Sequence, residues 1–420
     1  MRRPLLTLLA SLALALAIAP AAIAKAHRGP CLPGDPKSPK CLLWSGKATF
    51  IADGDTLDVD IAGDGTARPK AIRLIGLNAT ELRVYSRVAS RRRGECHGVP
   101  AANEMERLVR GSHWRVRLSA MHANGGPPGK RLHRGLQVRI NGRWRDAGEI
   151  LVGRGDALWM PNVGEWWSRG YSKLSQQAAA ARRGIFDRKQ CGHEPEPSAN
   201  LRLRVIWDGT AGDLNGEFIE VTNADAARPV KVGGWWLRDS YITKYRLPRG
   251  TTIPPGGRLR LHTGRGRSSG NNLFWGYTLP LFGFEGDGGY LFDSRSNLRA
   301  WMMYPCHWNC VDPLQGKIRL TASPGGDEHV LLRNISAAPV DLRDYVLGLP
   351  FHAYEFGAGS VLDPGQTMRV DVQGDPRRST PLHRYYGYSR PLLADGGQRV
   401  VLRSYSDVIV ACDAWGSFSC

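Results

Sequence analysis

Ala71-Ile72-Arg73-Leu74-Ile75-Gly76-Leu77-Asn78-Ala79-Thr80-Glu81 begins as an apolar strand around one arginine, turns at Gly76 and closes on a carboxylate. Upstream, Leu57-Asp58-Val59-Asp60-Ile61 alternates apolar and polar with period two, which predicts a half-buried strand. Residues 46–51 read as the strand before it, joined through the turn Asp53-Gly54-Asp55-Thr56. Downstream, Pro100 suits the first turn of a helix over 101–110, with Met105, Leu108 and Val109 on one side. Residues 114–118 and 135–140 read as further strands, 147–152 as a short helix, and 165–183 as a longer one ended by Gly184. Strands first, with helices interleaved and terminal, predict a five-stranded barrel packed on helices across 43–190.

The same segment carries the chemistry. Hydrolysis of a phosphodiester needs a base for the attacking water and positive charge on the phosphate oxygens. Glu81 is the candidate base, Arg73 and Arg134 are candidate phosphate clamps, and Asp55 is a candidate metal ligand. Arginine stays charged, and its planar fork fits phosphate. All-oxygen ligation points to a hard cation, calcium before magnesium. The loop after Glu81 adds Arg83, Arg87, Arg91, Arg92 and Arg93 around Tyr85, a candidate track for a polyphosphate. Singly, each residue has a plain reading as well: a hairpin turn, an ion pair, a solvated charge.

Segment 43–190 resembles the staphylococcal nuclease (thermonuclease) family, an OB-fold barrel with calcium-dependent phosphodiesterase activity. The matching residues are Asp53-Gly54-Asp55-Thr56, Arg73-Leu74-Ile75 with Glu81 at the same spacing, Arg134-Gly135-Leu136, and the run Gly148 to Gly155. The resemblance implies that Glu81 activates water, that Arg73 and Arg134 stabilise the transition state, and that the products carry 3′-phosphates. It further implies calcium ligation by Asp55, by residue 78 and by the main chain of Ala79. Asn78 stands where the family has a second aspartate, so weaker calcium binding or another divalent ion is expected. His133 replaces a glycine, and Trp159-Met160-Pro161 occupies the neighbourhood of the family's base-stacking tyrosines.

Residues 1–24 read as a secretory signal: Arg2 and Arg3, an apolar run over 5–19, and the cleavage site Ala22-Ile23-Ala24. No later stretch is long and apolar enough for a span, so a secreted protein without a transmembrane segment is expected. The eight cysteines of an exported chain favour disulfides, in the order Cys31–Cys41, Cys96–Cys191, Cys306–Cys310 and Cys412–Cys420. The rival is a zinc site at Cys306, His307 and Cys310. Net charge is +19, and the excess sits before residue 197, where 32 Lys/Arg face 17 Asp/Glu. Such a field attracts nucleic acid, the expected substrate: DNA, with RNA left open.

A proline-rich linker at His193 to Ser198 ends the helical signals. Beyond it, short apolar runs alternate with Gly/Pro turns, predicting all-β domains over 198–312 and 316–420. They are two copies of one unit. Glu217 to Asn223 matches Glu328 to Asn334, Trp235-Trp236-Leu237 matches Tyr345-Val346-Leu347, and Phe274 to Tyr277 matches Tyr385 to Tyr388. With Pro254 to Gly257 and Gly286-Asp287-Gly288, the first copy resembles the lamin-tail family of immunoglobulin-like β-sandwiches, and the second is a weaker match. The resemblance implies docking to substrate, cell envelope or protein. Two rival readings stand beside a secreted nuclease: a noncatalytic nucleic-acid-binding protein, and an envelope adhesion protein with an accessory barrel.

Overall fold

The computed structural model describes residues 26–123, 131–161, 166–191, 194–207, 214–283, 286–349 and 352–420. The expected signal over 1–24 lies outside them. No helix of the described residues is long and apolar enough to cross a membrane.

The N-terminal part contains β1 (His27–Pro30), β2 (Lys40–Ile51), β3 (Thr56–Ile61), β4 (Lys70–Leu74), β5 (Leu77–Asn78), β6 (Leu82–Val84), β7 (Arg93–Gly94) and α1 (Gly98–Gly111). These are followed by β8 (Arg115–Ala120), β9 (Leu132–Ile140), β10 (Arg143–Asp146), α2 (Ala147–Arg154), β11 (Leu158–Trp159) and α3 (Tyr171–Ala180). The pairings β2–β3–β4–β9–β8 return to β2 and close a five-stranded barrel of OB-fold order; only β4–β9 is parallel. Its interior holds Leu57, Val59, Ile72, Leu74, Val116, Leu118, Leu136 and Val138, the inward positions of the period-two runs. Full burial of such a side chain contributes about 1.5–3 kcal/mol. The lead-in is not loose: β1 pairs with β2, and Cys31–Cys41 staples the connection.

One helix is shorter than the sequence predicts. Residues 166–170 form a 3₁₀ turn before α3, and Glu165 lies outside the described residues. The cause is contact with the barrel. A Cβ on Gly135 would meet the Trp167 ring at 2.7 Å, and one on Gly76 would meet Ser168 at 2.6 Å. The chain must therefore hug the barrel wall before it can wind outward. Asp146 caps α2 by accepting from the Gly148 N–H at 2.7 Å, and Tyr171 donates its hydroxyl to the same carboxylate at 2.5 Å.

The remainder is two β-sandwiches of identical strand order. In the first, Leu201–Ile206, Phe218–Asn223, Arg258–His262 and Asn272–Phe274 form one sheet; Lys244–Arg246, Trp236–Arg238, Asp287–Phe292 and Leu298–Tyr304 form the other. Ile318–Ser323, His329–Asn334, Thr367–Gln373 and His383–Tyr388 repeat the first sheet; His352–Glu355, Val346–Leu349, Gln398–Arg403 and Ile409–Trp415 repeat the second. The repeat extends to side chains. Glu217 accepts from the Leu281 N–H, and Glu328 from those of Leu392 and Leu393. Asn223 and Asn334 each donate to loop carbonyls, of Arg228 and Ala338 respectively. All four cysteine pairs form as expected, so Cys306 and Cys310 are not metal thiolates.

The three bodies are docked. Leu158, Ala178, Ala179, Ile185 and Phe186 of the barrel share one apolar cluster with Tyr290, Phe292, Leu298 and Met303 of the first sandwich. The expected linker is tied down as well: Arg299 donates to the carbonyls of Pro195 and Glu196. Between the sandwiches an ionic network stands beside a small apolar cluster of Ile206, Phe218 and Val346. Arg204, Arg258 and Arg260 surround Glu220 and Glu355.

Candidate active site

The turn Asp53-Gly54-Asp55 is pressed between helix and loop. A Cβ on Gly54 would lie 2.6 Å from that of Ala101 and 2.7 Å from that of Ala79, so only glycine lets α1 and the Asn78–Ala79 segment close on the turn. Thr56 opposes Arg73 across β3 and β4, which brings Arg73 onto Asp55 as a buried ion pair. Asp55 also accepts from the Thr56 hydroxyl at 2.9 Å and from the Ala79 N–H at 2.7 Å, while the Asn78 amide stands at 3.5 Å.

Glu81 is set by its main chain. Its carbonyl accepts from the Glu95 N–H at 2.9 Å, and Cβ atoms on Gly94 or Gly98 would stand 2.5 Å and 2.9 Å from that oxygen. Cys96, bridged to Cys191, anchors this loop. Glu81 is exposed, yet the loss of water around its carboxyl and the charge of Asp55 raise it above its ordinary range; Arg73, and more weakly Lys244, oppose the rise. Asp53 is pushed up to about 7 by burial and then by Asp55. A glutamate held higher than usual is a stronger proton acceptor, as a general base near neutral pH requires.

Asp55, Arg73, Asn78, Ala79 and Glu81 are thus gathered, and Arg134 is not gathered with them. The parallel register sets His133 opposite Arg73 and Arg134 opposite Leu74. Strand alternation turns Arg134 to the other face, where it lies 4.7 Å over Trp44 and donates to the carbonyls of His133 and Ala123, each at 2.7 Å. The cations on Arg73's side are Arg131, which donates to the Thr56 hydroxyl at 3.1 Å, and His133. Burial and the charges of Arg73, Arg131 and Arg134 lower the His133 pKa, favouring the neutral ring. Strand parity was the available signal: Arg131 and His133 lie two apart, and Arg134 is out of phase with them.

The arginine loop divides. Arg83 and Arg91 are exposed. Arg87 donates to the Thr49 carbonyl and lies over Phe50; Arg93 donates to the carbonyls of Ser90 and Arg92. Arg92 departs from the expected track. It is buried and bonded to Asn103, Glu106 and the Ser86 carbonyl, so it shapes the loop and cannot reach a phosphate.

The first sandwich completes the site. Arg238, buried, donates to the Asn78 side-chain oxygen at 2.7 Å and to the carbonyls of Asp239 and Ser240. Arg73 lies close enough to depress its pKa, after burial has done most of that. Nothing in the sequence around Arg238 connects it with Asn78, which is 160 residues away. Trp159 is buried at this interface, where a Cβ on Gly286 would meet its ring at 2.9 Å.

The donors suit a hard divalent cation. They are oxygens only, and the mutual repulsion of Asp53, Asp55 and Glu81 is what such an ion relieves. The set is smaller than the resemblance implies, because the Asn78 oxygen is committed to Arg238, and Asp55 must share its oxygens with Arg73, Thr56 and the Ala79 N–H. A second convergence, Asp327, His329 and Asp371 in the other sandwich, is already engaged by Arg369, which bonds both carboxylates, and by His383, which bonds Asp371.

Residues 194–306 match the Lamin Tail Domain family. This agrees with the immunoglobulin-like sandwich found there. A search of curated proteins finds no match to the chain.

Proposed function

We propose that the barrel is a metal-assisted phosphodiesterase of nucleic acids, acting on DNA, with RNA the second substrate to be tested, exported and held by its disulfides. The observation that carries this reading is the buried Asp55–Arg73 pair with the Glu81 carboxylate within its electrostatic reach. Glu81 takes the proton of the attacking water. Arg73 and Arg131 supply positive charge to the phosphate oxygens on the face they share, and neutral His133 can donate a hydrogen bond there. Asp55 and the Ala79 carbonyl would hold the cation, calcium or magnesium, which supplies polarisation of the phosphate. The basic first half draws the polyanion in, and the lamin-tail-like sandwiches dock the enzyme to envelope or protein.

The test is digestion of plasmid and RNA with calcium, magnesium or chelator, beside Glu81→Gln. Turnover should fall at least a hundredfold in that variant while nucleic-acid affinity stays within about threefold. Full turnover would remove Glu81 from the base role. A second reading, noncatalytic binding of nucleic acid, is favoured by one observation: Arg238 caps Asn78, a position that should ligate metal. Wild-type protein that binds but never cleaves, whichever divalent ion is present, would decide for it.

A further inference from the structure

One strand away from Arg238, the first sandwich opens a shallow cavity of about 450 Å³ lined by Lys244, Tyr245, Arg246, Trp275, Gly276 and Tyr277. Lys244 stands directly opposite Arg238 in an antiparallel pair, whose strands lie about 4.8 Å apart. Since Arg238 touches Asn78, the cavity begins where the candidate site ends. Three aromatic rings face into it. Tyr245 meets Trp275 edge-on at 6.1 Å, and Trp275 meets Tyr277 edge-on at 6.2 Å, so these rings are not stacked face to face on one another. Tyr277 is 39% exposed. Lys244 lies 4.4 Å over Trp236 and feels the Glu81 carboxylate only weakly, and Arg246 donates to the Gly234 carbonyl; no salt bridge to either cation is found among the described residues. Cations held in no salt bridge, interleaved with aromatic rings, suit alternating phosphates and bases.

The second sandwich holds the same three aromatic positions in another state. Tyr354, Tyr386 and Tyr388 crowd together at 5.4 Å and 5.0 Å, and the Tyr388 hydroxyl is bonded to His352. Where the first copy has Lys244 and Arg246, the second has Ala353 and Glu355, and Glu355 is engaged by Arg204, Arg258 and Arg260. The open, basic form of this corner belongs to the copy that adjoins the barrel.

We propose that this cavity is a binding subsite for single-stranded polynucleotide, with bases stacked on Trp275 and Tyr277 and phosphates paired to Lys244 and Arg246. It receives the strand as it leaves the candidate site, a placement that rests on reading the barrel as a phosphodiesterase. Binding itself does not depend on cleavage.

The experiment is fluorescence anisotropy of a short labelled oligothymidylate with the full chain, in chelator and at low salt. Tyr277→Ala should lower affinity about tenfold, since one stacked base is lost. Lys244→Glu with Arg246→Glu should lower it further and flatten the salt dependence by a slope of about one to two. Unchanged affinity, within twofold, in both variants overturns the proposal. So does a sulfated polysaccharide that competes equally well while Tyr277→Ala costs nothing, because the patch would then read charge alone. Affinity lost in the variants of a wild type that never cleaves sustains the subsite and ends the phosphodiesterase reading. Cleavage by a wild type whose affinity no variant alters does the reverse.

Discussion

Arg238 and Trp236 of the first sandwich, on a strand facing the barrel, become Gly348 and Val346 in the second, and Phe292 becomes Arg403. Trp236 stacks on Phe292 at 4.1 Å in the first copy; in the second, Arg403 lies 4.3 Å over Trp207 of the first sandwich. One scaffold thus presents an apolar face with a single probing arginine to the barrel, while its repeat presents charge to its neighbour. Strand order is set by inward-facing positions that both copies keep. Partner choice is set by outward-facing positions, which vary without cost to the fold.

The ionic contact between the sandwiches should be the more fragile on truncation. Glu355 reaches across from the second sandwich to Arg204, Arg258 and Arg260, so Glu355→Ala leaves buried Arg204 and its two neighbours to share Glu220 alone. A loss of about 2–3 kcal/mol in urea unfolding is expected, because a second carboxylate remains; a loss below about 0.5 kcal/mol would show that this network is solvated. Arg238→Met probes the other contact. It strands the Asn78 oxygen and two carbonyls, and about 2 kcal/mol should be lost. A stability unchanged in that variant would mean that the apolar cluster alone holds the barrel to the sandwich. The smallest effect is pH-dependent. Asp287, pushed up to about 7 by burial, has Gln398 as its counterpart. Its folded-state pKa lies above the unfolded one, so it binds a proton more readily when folded and stability falls as pH rises through 7. Between pH 6 and 8 this amounts to about 1 kcal/mol, which Asp287→Asn should remove from the unfolding curve. An identical slope in that variant would put the dependence elsewhere.

The barrel was legible because its signals are local. Period-two runs, the Asp53-Gly54-Asp55 turn and the glycine after α2 each act within a few residues, and the repeat exposed the sandwiches by comparison of the chain with itself. The site was legible for Asp55, Arg73 and Glu81, which one turn and one strand pair bring together. Arg134 lies apart from the cluster because adjacency to Gly135 says nothing of strand parity, and parity against β4 is set by pairing across the barrel. Arg92 looked like its neighbours in a basic run, but Asn103 and Glu106 lie on one face of α1 and claim it. Arg238 could not be read at all. Its role exists only once two independently patterned domains meet.

The docked interfaces carry one mechanical consequence. With the chain between barrel and sandwich pinned by Arg299 and both junctions filled by side chains, the molecule is built as a jointed caliper whose joints are locked. The far sandwich is therefore held at a set bearing and reach from Glu81, and thermal motion should turn the three bodies together rather than one against another.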